Sequence, residues 1–117
     1  IGLKEKAYEL AADLSYGQQK LVELARCFIG ESDILLLDEP VAGVNPVLRE
    51  KIKTILKQIQ KNGKTILLIE HDMKFVLDIA DEIIVLNYGE EIAFGSPHDI
   101  KNNPKVLEAY LGERIKP

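Results

Sequence analysis

The chain has 117 residues, a formal net charge of -4, 46% apolar and 29% charged side chains, the make-up of a soluble α/β protein of one domain or part of one. No long basic run offers a footprint for nucleic acid, no apolar stretch approaches the ~18 to 20 residues that cross a bilayer, and a lone cysteine, Cys27, excludes a disulfide framework. Cys27 stands among apolar neighbours and reads as a small buried residue, while an opening on Ile1 rather than Met suggests that upstream sequence has been removed.

Residues 3 to 12 read as a short helix. "LSYGQ", residues 14 to 18, precedes a second helix over 16 to 29 that places Leu21, Val22, Leu24, Ala25 and Phe28 on or near one face. Ser15 there has two readings: an N-cap, or a hydroxyl that joins free N–H groups at a helix N-terminus to hold phosphate. "DILLLDEP" gives a strand at Ile34 to Leu37, expected to be buried on both faces as in a parallel sheet. Asn45 and Pro46 supply an N-cap and first helical residue, Ile52, Ile55, Leu56 and Ile59 form a helical stripe, and Asn62-Gly63 closes it. Thr65 to Ile69 repeats the buried-strand pattern, so strand, helix, strand makes a parallel crossover unit. A helix follows from about Met73 to Ala80. "EIIVLNYGEEIAFG" predicts a hairpin around Tyr88-Gly89 on the sheet's edge, and a terminal helix starts at Pro104 and stops at Gly112.

Chemistry concentrates at the strand ends. Asp38 and Glu39 emerge together after four apolar residues, at the carboxyl end where open α/β sheets gather their ligands. Such a pair can hold Mg²⁺ and polarise an attacking water, or it can be two solvated strand-end acids. His71 ends the second strand on the same side if the strands are parallel. It is either a loop histidine before Asp72, itself a good N-cap, or an imidazole placed to touch a phosphate or the attacking water.

"LSYGQ", "ILLLDEP", "AGVNP" and "LLIEHD", in this order and at these separations, resemble the signature motif, Walker B strand, D-loop and switch histidine of ATP-binding cassette (ABC) ATPases. Tyr16 stands where the family signature more usually has glycine, and Asn45 where many members have Asp. More narrowly, "EPVAGVNP", "IEHDMKFV" and "IKNNPKVLEAYLGE" resemble the ATPases of branched-chain amino-acid importers; lipopolysaccharide-extracting relatives share "AGVNP" or "YLGE", and soluble ABC proteins of DNA or ribosomes remain an alternative. The resemblance implies the C-terminal half of a P-loop NTPase fold, with residues 1–30 in the helical signature subdomain, 31–97 in the ATPase core and 98–117 as a helical tail. It implies Ser15, Tyr16, Gly17 and Gln18 against the ATP of a partner subunit, Asp38 on Mg²⁺ through water, Glu39 as general base and His71 on the γ-phosphate. Ala42, Gly43, Val44 and Asn45 would face the second ATPase subunit. Further implied partners are membrane permease subunits and, indirectly, a periplasmic or extracellular binding protein, with no nucleic acid, at the cytoplasmic face of the membrane. No G-x-x-x-x-G-K-[ST] occurs in the sequence, so the 117 residues alone are expected not to hydrolyse ATP.

Overall fold

The computed structural model describes residues 1–111, which group into two compact units that divide between His71 and Asp72. Gly112, the expected stop of the last helix, lies outside the described residues.

The first unit opens on two 3-10 turns, Lys4–Lys6 and Ala11–Asp13, in place of the single helix expected over 3 to 12. Neither turn has a buried residue, and Leu10 between them is extended. Without an apolar face to pack, so short a stretch has nothing to offset helix nucleation. Helix α1, Tyr16–Ile29, follows as expected and buries Leu21 and Leu24. Cys27 is half-buried, a correction to its expected full burial.

Strand β1, Ile34–Asp38, and strand β2, Thr65–Ile69, pair in parallel, with Asp38 opposite Ile69. Helix α2, Pro46–Lys61, connects them. It starts where Asn45 Oδ1 accepts the Leu48 N–H at 2.9 Å, buries Ile52, Leu56 and Ile59, and gives way to Gly63 at φ +86. The sheet is not buried on both faces. Leu35 and Leu37 point into the core, whereas Ile34, Leu36, Leu67 and Ile69 form an apolar stripe on the other face, with Leu36 72% exposed. Period-two alternation makes this unavoidable once described residues cover only one side.

The second unit comprises helix α3, Met73–Ile79, strands β3, Ile83–Asn87, and β4, Glu90–Gly95, and helices α4, Pro97–Lys101, and α5, Pro104–Leu111. β3 and β4 form the expected hairpin, with Tyr88 and Gly89 at φ 49 and 83. They make a separate two-stranded sheet instead of extending the edge of the parallel pair. Ile83, Val85, Ala93, Ile100 and Val106 form this unit's core.

Candidate functional site

The parallel register builds the site. Because Asp38 stands opposite Ile69, the residues that follow each of them leave the sheet side by side: Glu39 from one strand, Glu70 and His71 from the other. The Glu39 N–H continues the ladder to the Ile69 carbonyl at 2.9 Å. The chain must then turn away from the sheet, and Glu39 does so at φ 46, a left-handed conformation that costs a non-glycine residue of order 1 to 3 kcal/mol. Its carbonyl accepts the Ala42 N–H at 3.1 Å, closing the turn.

Glu39 Oε1 lies 2.9 Å from His71 Nδ1. A carboxylate can only accept, so Nδ1 carries the shared proton and Nε2 is left for a ligand. Both side chains are accessible, His71 at 72% and Glu39 at 49%. Asp38 is exposed at the end of β1. Among the described residues no three His, Cys, Asp or Glu side chains form a metal cage. One hard carboxylate oxygen nevertheless fits Mg²⁺, which keeps several waters and commonly takes one or two protein ligands.

Ser15 caps α1 in a full capping box. Its Oγ accepts the Gln18 N–H at 3.3 Å, and its own N–H donates to Gln18 Oε1 at 2.9 Å. The hydroxyl proton is not consumed by this cap, so capping and phosphate binding are compatible at Ser15. Gly17 has a packing reason of its own, since a Cβ there would run into Leu48 Cδ2 of α2. The Tyr16 hydroxyl donates to the Ala42 carbonyl at 3.2 Å, and its ring lies against Gly43, which sits at φ +69. The stretches "LSYGQ" and "AGVN" are thus tied together within one chain. Val44 is buried, and Asn45 serves as the cap of α2. Lys20 Nζ lies 5.8 Å from the Tyr16 ring centroid. Its pKa is raised chiefly by the hydrogen bond to Glu23, with a smaller contribution from Tyr16.

One residue escaped the sequence reading. The Glu70 side chain is 1% exposed, accepts the Val41 N–H at 3.0 Å and accepts the His71 N–H at 3.2 Å. The signal was present in that both apolar strands are followed by a glutamate, Glu39 after Asp38 and Glu70 after Ile69.

Two family profiles match the chain, "ABC transporter" over residues 1–42 and "Branched-chain amino acid ATP-binding cassette transporter" over residues 90–116. The high-affinity branched-chain amino acid transport ATP-binding protein LivG of Salmonella typhimurium is 47% identical over 114 residues, 97% of this chain and 45% of that protein. The chain belongs to the ATP-binding cassette family. Its similarity extends to the corresponding protein BraF of Pseudomonas aeruginosa, 46% identical over the same shares. Among solved cassette structures, the ADP conformation of MJ1267, an ATP-binding cassette of an ABC transporter, superposes with a TM-score of 0.76 at 37% identity, covering 86% of this chain and 41% of that one. A nucleotide-free cassette gives 0.75 at 39% identity, with 86% and 42% covered. The chain therefore spans a little under half the length of the cassette proteins it matches, and its α/β fold with a parallel sheet is theirs.

Proposed function

We propose that these residues carry the hydrolytic half-site of the ATPase subunit of an ABC importer, with branched-chain amino acids as cargo. The cargo assignment is supported by the LivG and BraF relatives named above. The observation that carries the catalytic reading is the Glu39–His71 pair beside Asp38, where two parallel strands end in register. Glu39 accepts a proton from the attacking water through its second oxygen, while His71, in the imidazolium form that carries N–H on both ring nitrogens, donates from Nε2 to the γ-phosphate. Asp38 would hold Mg²⁺ through water, and the ion would supply charge neutralisation on the triphosphate. Ser15 Oγ and the free N–H groups of the first turn of α1 face the nucleotide held by a second ATPase subunit, and the loop from Ala42 to Asn45 touches that subunit. Permease subunits take up the resulting motion at the cytoplasmic face of the membrane, and an external binding protein delivers the cargo. The phosphate loop is supplied by chain outside these 117 residues.

Replacement of Glu39 by Gln tests the reading in the assembled ATPase. ATP-driven dimerisation should persist while turnover falls by roughly 10² to 10⁴. Wild-type turnover would leave Glu39 as a strand-end acid and overturn the assignment.

A further inference from the structure

Glu70 is a carboxylate in an unusual place. Its side chain is almost wholly shielded, yet it lies one residue before the exposed His71 and bonds to Val41 in the turn that the exposed Glu39 begins. A buried carboxylate is stable only where its oxygens accept hydrogen bonds, and the two Glu70 oxygens take different partners. Oε1 accepts from the Val41 N–H, on the far side of the turn that Glu39 begins. Oε2 accepts from the His71 N–H, at the end of β2. Hydrogen bonds to an ionised acceptor are about twice as strong as neutral ones.

We infer that Glu70 is a positioning residue for hydrolysis, a clamp that fixes the Glu39 carboxylate against the His71 imidazole. This rests on the reading of Glu39 as the base. The left-handed backbone of Glu39 needs support from its surroundings. On its N-terminal side that support is the ladder bond from the Glu39 N–H to Ile69; beyond Pro40 it is the bond from Val41 to Glu70. The same carboxylate fixes the His71 backbone, so one side chain sets the separation of the two groups whose side chains meet at 2.9 Å. Glu70 Oε2 is 4.0 Å from His71 Nδ1, too far to compete with Glu39 for the ring proton. Glu70 therefore orients the pair without joining it.

Glutamine at position 70 keeps the shape but can accept only through its carbonyl, so its NH₂ opposes one of the two backbone N–H donors. In the assembled ATPase, Glu70→Gln should lower kcat about ten- to a hundredfold, as small misplacements of reacting groups do, with KM for ATP within about threefold of wild type. In the Glu39→Gln background the same change should have almost no further effect on single-turnover hydrolysis, because the group being positioned is already disabled. Glu70→Asp, too short to span both donors, should behave alike and serves if the glutamine variant does not fold. Accelerated hydrogen exchange at the Val41 amide reports release of the clamp. Full-rate turnover by both Glu70 variants, or an equal loss in both backgrounds, overturns the proposal while leaving Glu39 as base. Wild-type turnover by Glu39→Gln alone overturns the base and the clamp together.

Discussion

A methyl group on Gly17 would run into Leu48 Cδ2, and this changes what the glycine of "LSYGQ" means. In the sequence it belongs with Ser15 as part of a phosphate cradle; in the folded chain it first allows the start of α1 to approach α2. The two requirements separate by mutation. Gly17→Ala gains helix propensity of up to ~1 kcal/mol but obliges the half-buried Leu48 side chain to swing aside, at a cost of about 0.5 to 1.5 kcal/mol. Adding Leu48→Ala should then cost much less than it does in the wild type, a coupling readable by chemical denaturation. Additive losses would show that Leu48 is not what demands glycine. Tyr16, beside it, reaches Ala42 with its hydroxyl, so the residue that departs from the usual signature glycine makes a bond glycine could not.

At the scale of elements, α4 offers the clearest electrostatic test. Ser96 caps it in a capping box with Asp99, whose Oδ2 accepts from the Ser96 hydroxyl at 2.6 Å and from its N–H at 3.2 Å. The Ser96 hydroxyl, then the Ser96 N–H, hold the Asp99 carboxyl below its ordinary value. A carboxylate favoured in the folded state stabilises fully above its unfolded pKa of about 3.9, and this contribution disappears as pH falls through the lower folded value. On acidification below about pH 4, NMR signals of Ser96 and Asp99 should shift as the cap opens, and Asp99→Asn should flatten that response. Titration of Asp99 at the ordinary carboxylate value would show that the box adds nothing. Several element boundaries were readable because local chemistry decides them: Asn45-Pro46 starts α2, Tyr88-Gly89 accepts the positive φ values of the hairpin, and Ser15 opens α1. Other features depend on what packs where. Ile34 and Leu36 look as apolar as Leu35 and Leu37, and nothing in a run of four such residues says that alternate ones stay uncovered. The Glu39–His71 pairing was suggested by two strand ends facing one way, whereas the bridging role of Glu70 required the register, which composition does not carry.

For the whole molecule, the decisive quantity is how much of a nucleotide these residues can hold. The sequence carries no G-x-x-x-x-G-K-[ST], and Asp38 offers one carboxylate to Mg²⁺ and none of the donors that cradle a triphosphate. Calorimetry of the 117-residue chain with Mg-ATP should therefore give no binding heat at millimolar nucleotide; a low-micromolar Kd would mean that the chain holds a complete site. The left-handed backbone at Glu39 has a consequence for how such a chain can change over generations. Glycine adopts φ 46 freely, so exchanging Glu39 for glycine removes a local cost of order 1 to 3 kcal/mol while giving back about 0.5 to 1 kcal/mol in unfolded-chain entropy. Selection for heat tolerance alone would thus favour glycine at this position and erase the carboxylate.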